Sequence, residues 1–307
     1  MPRPLRMLNA AEIFFVSVRS FQRRFLLRPS AETNEVLGGV LSRAVRLHGV
    51  ELFSFIVLSD HLHLVVRAPR GNLPRFMQYL LTNVSKKVGR LVRWQGNFWD
   101  RRYSAEPILD DAALLGRVRY VISHGVKEGL VRRCRDWPGL SCLPLMLDGQ
   151  PRSFRWFNWT RRASGNRHRV RRELLDDRWA ETETLRLTPL PSPGLRNPEA
   201  LRRFLKRAVR AIEEQGLRQY RTVLGRPGVL RRRPQERAAL ARRKPRPLCH
   251  TSIPNLLDAF RERCRAFVEA FRAASVRWRS GDLAAVFPEW AIKPFVWTSP
   301  EGLNLAA

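Results

Sequence analysis

The chain has 307 residues, with 57 Lys and Arg against 27 Asp and Glu, and its formal net charge is +30. This imbalance favours a polyanionic partner, and nucleic acid is the partner we expect, with an anionic membrane surface as the weaker alternative. A membrane-spanning protein is not expected, because no stretch provides the roughly 18–20 uninterrupted apolar residues that a spanning helix needs. The first residues also lead into no apolar signal-peptide core.

Hydrophobic periodicity predicts alternating strands and helices over the first 127 residues. In chain order they are a strand at Ile13–Arg19, a helix at 30–47, strands at 52–58 and His61–Arg67, a helix at 73–92, a strand at 103–109 and a helix at 110–127. The predicted helix N-caps are Ser30 or Thr33, then Asn72, then Asp110 or Asp111.

The order β-α-β-β-α-β with an added helix is the ferredoxin-like split βαβ pattern, which is an α+β fold. In that pattern the first and third strands lie in the centre of an antiparallel sheet. We expect helices to cover one face of this sheet and the other face to be open.

The third predicted strand carries two histidines, and its period of two places both on one face. His61 and His63 share that face with Val65 and Arg67, whereas the intervening apolar residues point to the other face. Two imidazoles this close can hold one divalent metal ion, since neutral imidazole is the commonest protein metal ligand. The alternative interpretation is a pair of partly buried histidines that are satisfied by hydrogen bonds.

The added helix has an apolar stripe and, on a different face, a tyrosine and a histidine one turn apart. Tyr120 and His124 are related as i and i+4, so their side chains are neighbours. Their pattern indicates a functional pair, or else a tyrosine at the edge of the core and an exposed histidine.

Beyond residue 129 the sequence is more basic and less regular. Residues 146–198 are predicted to be irregular, and their tryptophans interleave with arginines, which suits base stacking with phosphate contacts or equally a solvated loop. Basic amphipathic helices are predicted at 198–217 and Pro254–Arg279. Residues 226–247 are predicted to be disordered unless nucleic acid orders them. The predicted domains are residues 1–145, a basic aromatic and Pro-rich linker at 146–198, and a basic, mostly helical extension at 199–307.

The four cysteines form no Cys-x-x-Cys pair, so the spacing does not predict a zinc ribbon. Their pattern is that of a reduced, intracellular protein. We expect all four side chains to pack in the interior; they are Cys134, Cys142, Cys249 and Cys264.

Four local segments resemble one family of DNA-processing enzymes. They are MPRPLR at residues 1–6, LSDHLHL at 58–64, NFWDRRY at 97–103 and YVISHGVKEGLV at 120–131. The last three are similar to a His-hydrophobic-His motif, a Phe-Trp-x-x-x-Tyr segment and a Tyr-(x)3-Asn-Pro-Val-(x)2-Gly-Leu block. In order and spacing, residues 1–145 resemble the single-tyrosine HUH transposases, and within them the REP-associated tyrosine transposases and related insertion-sequence transposases.

The resemblance implies cleavage and rejoining of single-stranded DNA through a 5′-phosphotyrosine, with a divalent metal ion, Mg²⁺ or Mn²⁺. Tyr120 is the implied nucleophile, and Tyr103, at the start of the fourth predicted strand, is the second choice. The implied metal ligands are His61, His63 and the side chain four residues after the tyrosine, which is His124.

The same resemblance implies a DNA hairpin with flanking single strand as substrate, and a bacterial-type protein in the cytoplasm, at the nucleoid. The candidate contacts to DNA are all arginines: Arg19, Arg67, Arg101, Arg102, Arg132 and Arg133.

One departure from the family pattern concerns the metal site. Where the family usually has Asn-Pro, this sequence has His124-Gly125. Imidazole is softer than an amide oxygen, so three histidines favour Mn²⁺ or a later metal over Mg²⁺. The departure also fits a catalytically degenerate or domesticated DNA-binding protein, and a metal-dependent nuclease that activates water is a further alternative. Whether the protein is a monomer or a homodimer stays open.

Overall fold

The structure is a computed structural model, and it describes residues 5–158, 179–239 and 247–292. A four-stranded antiparallel sheet forms the centre of its N-terminal part. The strands are β1 (Ile13–Arg19), β2 (Glu51–Val57), β3 (His61–Arg67) and β4 (Ser104–Ile108), in the spatial order β2-β3-β1-β4. The predicted α+β class is confirmed, and β1 and β3 are the central strands, as the sequence predicts.

Two helices, α1 (Ala31–His48) and α2 (Leu73–Leu91), pack against each other. They are the crossover helices of the two βαβ-like units, whose common handedness puts both on one face of the sheet. Ser30 is the N-cap of α1, because its Oγ accepts a hydrogen bond from the Thr33 N–H at 3.1 Å. Asn72 precedes α2 but does not cap it with its side chain, which instead donates to the His48 carbonyl at 2.8 Å.

The second face of the sheet is not open, so that prediction is wrong. The added helix, α3 (Asp111–Lys127), lies across it and contacts β2 and β3. Asp110 is its N-cap and accepts a hydrogen bond from the Ala113 N–H at 2.7 Å. Because Val118 and Val121 bury their side chains completely against this face, the helix is held as part of the core.

The segment after α3 continues along the outer edge of β2. The Val57 N–H donates to the Leu140 carbonyl and the Cys142 N–H donates to the Phe55 carbonyl, both at 2.9 Å. The buried Trp137 adds a hydrogen bond from its Nε1 to the Val57 carbonyl at 3.1 Å. A short helix, α4 (Leu143–Asp148), follows.

Residues 146–198 are not irregular throughout, so that prediction is wrong in two places. They contain an antiparallel pair, β5 (Arg152–Phe157) and β6 (Ala180–Leu185), that packs on the outside of α1. The sequence does not show this pairing, because β5 ends at residue 157 and β6 starts only at residue 180, so no short hairpin turn links the two strands. The arginine-rich run at 161–172 lies outside the described residues.

The C-terminal part is mainly helical, with α5 (Pro198–Gln219), α6 (Gly225–Arg231) and α7 (Pro254–Arg279). The predicted disorder of residues 226–247 is wrong up to residue 239, because α6 begins this stretch and a later strand-like segment pairs with the loop after β1. There the Phe25 N–H donates to the Glu236 carbonyl at 2.8 Å. Residues 240–246 lie outside the described part.

The chain then returns to the sheet beside β4. The His250 N–H donates to the Pro107 carbonyl at 2.8 Å, and the Leu109 N–H donates to the His250 carbonyl at 2.9 Å. The C-terminal part therefore contacts the N-terminal sheet directly. None of the helices in the described ranges is long and apolar enough to cross a membrane.

The four cysteines are free thiols in the described structure. Cys134, Cys142 and Cys249 are buried, as the sequence predicts, but Cys264 is partly exposed, so the prediction that all four pack in the interior is wrong for Cys264. Burial raises the pKa of the Cys134 and Cys142 thiols to about 12, so these two side chains stay protonated and behave as small apolar groups.

Candidate metal centre and tyrosine

Three histidines converge between the sheet and α3. His61 and His63 come from β3, and His124 comes from the last turn of α3. One ring nitrogen from each lies within 4.8 Å of the others, and all three residues are buried. The cluster forms because the alternation of β3 points both of its histidines at the helix that covers this face.

A carboxylate in the turn before β3 sets the orientation of the first histidine. Asp60 Oδ1 lies 2.6 Å from His61 Nδ1, and His61 Nε2 lies 2.9 Å from His124 Nε2. Burial raises the pKa of Asp60, but His61 and the Arg23 guanidinium outweigh burial and lower that pKa to about 2. The ionised Asp60 carboxylate can accept a hydrogen bond from the Nδ1–H of His61, and this directs Nε2 of the same ring into the cluster.

The other two rings have nitrogens that no described residue satisfies. Both ring nitrogens of His63, and Nδ1 of His124, are buried without a hydrogen-bond partner in the described part of the chain. Burial, with added repulsion from neighbouring cationic groups, holds the pKa of His63 and of His124 well below the usual value. Both rings are therefore neutral near pH 7 and have lone pairs available for a ligand.

This donor set fits a divalent metal ion. Buried polar atoms are normally satisfied, so the unpartnered ring nitrogens of His63 and His124 suit a bound ligand. Two nitrogens at about 2.1 Å from one ion, in directions at a right angle, are about 3 Å apart. The separation of 2.9 Å between His61 Nε2 and His124 Nε2 agrees with that spacing.

Tyr120 lies beside the cluster, one turn before His124. Its ring makes edge contacts with His124 at 4.8 Å and with His63 at 5.6 Å between centroids. Two cations lie over it, Arg117 at 4.9 Å and Lys127 at 4.2 Å from the ring centroid. Burial is the largest cause that raises the pKa of the Tyr120 phenol, so the hydroxyl is protonated at neutral pH.

Tyr103, the second choice from the sequence, lies elsewhere. Its ring belongs to the hydrophobic core and is 8% exposed. The Arg6 guanidinium stacks over this ring at 4.0 Å from its centroid. None of the ring contacts found in the described ranges connects Tyr103 to the histidines, so the structure brings Tyr120 and not Tyr103 to the cluster.

The six candidate arginines are dispersed. Arg19 pairs in register with His61, and its guanidinium lies 3.9 Å from Asp60. Arg67, at the far end of β3, has its Nε 2.6 Å from a Glu51 carboxylate oxygen. The remaining four are placed as follows: Arg101 pairs with Asp100, Arg102 is partly exposed, Arg132 donates to the Tyr220 and Arg221 carbonyls, and Arg133 is exposed.

Sequence reasoning missed several residues at the cluster. Asp60 is one of them, although a carboxylate next to a His-x-His pair is a signal for a partner of the first histidine. Phe15 stacks on His63 at 5.0 Å between ring centroids. It pairs in register with Val65, so its side chain lies on the same face of the sheet as the two histidines of β3. Lys127 comes from the same helix as Tyr120, seven residues later, which is two turns along the same face.

The matched family model identifies the N-terminal part of the chain. Residues 15–123 match the model described as "Transposase IS200 like". This region is therefore similar to the IS200-like transposases. It contains most of β1, all of β2 to β4, both histidines of β3 and Tyr120, and it ends one residue before His124.

A curated relative points to one branch of that family. A Haemophilus influenzae protein named as a REP-associated tyrosine transposase is 27% identical over 99 residues. The match covers 29% of this chain and 56% of that protein, so the chain spans about half the length of the curated relative.

Two solved structures are also similar. One is described as a REP-associated tyrosine transposase bound to a REP hairpin, with 21% identity, a TM-score of 0.41, and coverage of 46% of this chain and 82% of that one. The other is a transposase from Deinococcus radiodurans, with 18% identity, a TM-score of 0.29, and coverage of 40% and 95% respectively.

Proposed function

We propose that the protein cleaves and rejoins single-stranded DNA through a covalent 5′-phosphotyrosine at Tyr120, with a divalent metal ion held by His61, His63 and His124. The observation that carries this proposal is the contact of Tyr120 with two of three buried histidines whose ring nitrogens lie within 4.8 Å of one another. A structural role for these residues alone would leave the buried nitrogens of His63 unexplained.

The chemistry requires help for the tyrosine, because a phenol with a pKa of about 10 is a poor nucleophile at neutral pH. When bound, the metal ion polarises the scissile phosphate and orients it for attack. Arg117 and Lys127 place two positive charges over the tyrosine ring. These charges stabilise the phenolate that develops as the hydroxyl loses its proton.

In the cleavage step the Tyr120 oxygen forms a bond to phosphorus as the bond from phosphorus to the 3′ oxygen breaks. The phenol proton passes to solvent, and the leaving 3′ oxygen takes up a proton to become a hydroxyl. Attack by a 3′ hydroxyl on the phosphotyrosine then restores a phosphodiester and regenerates the phenol. The phosphotyrosine keeps the free energy of the broken bond, so the cycle needs no nucleoside triphosphate.

Three imidazoles favour Mn²⁺ over Mg²⁺ in this site. Mg²⁺ prefers oxygen ligands, whereas neutral imidazole suits later and softer divalent ions. We therefore propose Mn²⁺ as the ion that supports activity best, with Mg²⁺ as a weaker substitute.

The proposed DNA substrate is a hairpin with flanking single strand. The net charge of +30 supports a polyanionic partner. Among the candidate arginines, Arg19 is next to His61 in register and is the one we propose to contact the strand at the metal centre. For the chain as a whole we propose a catalytic unit at residues 1–145, a connecting region at 146–198 and a DNA-binding extension at 199–307.

The test is a denaturing gel that detects protein covalently attached to labelled DNA. The full chain is incubated with a library of hairpin oligonucleotides carrying single-stranded flanks, in the presence of Mn²⁺ or Mg²⁺. We expect an adduct that requires metal, is abolished in Tyr120→Phe and His63→Ala, and survives in Tyr103→Phe.

The other outcomes identify the alternatives. Tight hairpin binding without an adduct, across the whole library, would indicate a degenerate DNA-binding protein. Metal-dependent cleavage that persists in Tyr120→Phe would indicate a nuclease that activates water.

A further inference from the structure

Helix α5 lies beside the tyrosine, although it is outside the region that matches the family. It packs against α3, and the two helices border a groove of about 470 Å³. Tyr120 lines this groove. The other polar residues of the α3–α5 groove are Arg117, Arg119, Ser123, Lys127, Glu128, Gln215, Gln219 and Tyr220.

The close approach of α5 is built into the sequence. Gly216 faces Val126 of α3, and a Cβ added at residue 216 would lie 2.4 Å from Val126 Cγ1. A larger side chain there would push the two helices apart. The Tyr220 hydroxyl fixes the end of α5 by donating to the Lys127 carbonyl at 2.6 Å. The groove is therefore a defined feature of this fold and not an incidental gap.

The two walls of the groove differ in chemistry. The α3 wall has the cations Arg117, Arg119 and Lys127, with Glu128 as its acidic member. The α5 wall has the amides Gln215 and Gln219, which are exposed. Cations suit phosphates, and amides, which both donate and accept, suit the edges of bases.

We propose that α5 forms the second wall of a binding groove for the single strand next to Tyr120, in which Gln215 and Gln219 hydrogen-bond to bases while the α3 cations contact phosphates. This inference rests on the proposed function, because it assigns a role to the strand that the tyrosine would hold. The ligand that we propose for the groove is single-stranded DNA.

The first test measures equilibrium binding of the full chain to a labelled oligothymidylate of about 16 nucleotides. Fluorescence anisotropy reports the binding, and the measurement is repeated at several salt concentrations. We expect the double variant Gln215→Ala and Gln219→Ala to raise the Kd about tenfold. Neither substitution changes charge, so the slope of log Kd against log salt should stay the same. In Arg119→Gln that slope should fall by about one.

Gln78→Ala is the matched control. Gln78 is an exposed glutamine on α2, which lies on the opposite face of the sheet from α3. Its replacement should leave both the Kd and the salt slope unchanged. Gly216→Val, which displaces α5, should raise the Kd as the double variant does while Mn²⁺ binding is retained.

Two results would overturn the inference: wild-type affinity in the double variant, or wild-type protein that fails to bind the oligonucleotide. Because binding is measured without cleavage, its outcome is separate from the adduct test. Adduct formation with unchanged binding in the double variant would leave the proposed function standing and remove the role of α5.

Discussion

Asp60 Oδ1 lies 2.6 Å from His61 Nδ1, so the turn before β3 fixes the ring of the strand's first residue. The same carboxylate has its second oxygen 3.1 Å from Arg23 Nε. The loop after β1, the turn and the histidine are therefore connected by one ionised group. This arrangement directs His61 Nε2 toward His124 and prepares it to bind a metal ion.

Replacement of Asp60 should weaken metal binding without removing a ligand. In Asp60→Asn the His61 ring loses its charged acceptor, so its Nε2 becomes less basic and less well oriented. We expect Mn²⁺ affinity to fall about 10- to 100-fold, as measured by isothermal titration calorimetry on folded protein.

Asp100→Asn is the control for this change, because Asp100 is exposed and pairs with Arg101, and its carboxylate makes no contact with a histidine in the described structure. Its Mn²⁺ affinity should match the wild type. Equal affinities in the Asp60 and Asp100 variants would contradict the orienting role of Asp60.

The third histidine should determine which metal ion is preferred. In His124→Asn an amide oxygen replaces one imidazole. Asparagine is also the usual residue at this position in the family that residues 1–145 resemble. We expect the ratio of Mn²⁺ to Mg²⁺ affinity to fall by about tenfold or more, because the amide is the harder ligand. Competition calorimetry with both ions measures the ratio.

The control here is His48→Asn at the end of α1, which contacts Phe76 and Tyr79. This variant should keep the wild-type ratio. If His124→Asn also keeps it, His124 is not a ligand.

The sequence predicted the sheet and two separate pairs of side chains for local reasons. The period of two in β3 and the spacing of Tyr120 and His124 are short-range patterns, and the strand order follows from the β-α-β-β-α-β sequence. That the two pairs meet was implied only by the family resemblance, because no local pattern shows that α3 covers the face of the sheet that carries His61 and His63.

The parts that the sequence did not predict depend on long-range packing. Nothing local to residues 152–157 shows that their partner strand starts at residue 180, or that both pack on α1. Similarly, the cover that α3 provides for the second face depends on how the chain turns at Asp110. The role of Gly216 appears only when α3 and α5 are seen in contact.

The packing of β5 on α1 gives a prediction about stability. A Cβ added at Gly39 would lie 2.5 Å from the Arg155 carbonyl oxygen, which is backbone and cannot move aside easily. Gly39→Ala should therefore lower the free energy of unfolding by about 1–3 kcal/mol, as measured by urea denaturation.

Gly116→Ala makes the same chemical change at a position in α3 where a Cβ meets nothing within 4 Å. There the gain in helix propensity should stabilise the protein by about 0.5–1 kcal/mol. The contrast between the two variants separates the steric effect at Gly39 from the effect of helix propensity. Loss of stability in both variants would argue against the steric explanation.

The link between α3 and the C-terminal part should depend on pH. The Asp110 carboxylate accepts hydrogen bonds from Thr251 Oγ1 at 2.6 Å, the Ser252 N–H at 2.7 Å and the Ala113 N–H at 2.7 Å. Burial raises the pKa of Asp110, but the hydrogen bonds from Thr251, Ala113 and Ser252 outweigh burial and lower that pKa to about 2.

A carboxyl group whose pKa is lower in the folded protein stabilises the fold above its unfolded pKa near 3.8 and loses that effect as pH falls toward 2. Asp110→Asn keeps an N-cap side chain but removes the charge, so it should destabilise the protein by about 1 kcal/mol at pH 7 after allowance for solvent screening. The difference in free energy of unfolding between variant and wild type should shrink between pH 4 and pH 2.

Urea denaturation at a series of pH values checks this. The control is Asp258→Asn, because Asp258 is a surface aspartate that pairs with Arg261, and this variant should change stability little at any pH. A difference that stays constant with pH would show that the Asp110 charge does not stabilise this junction.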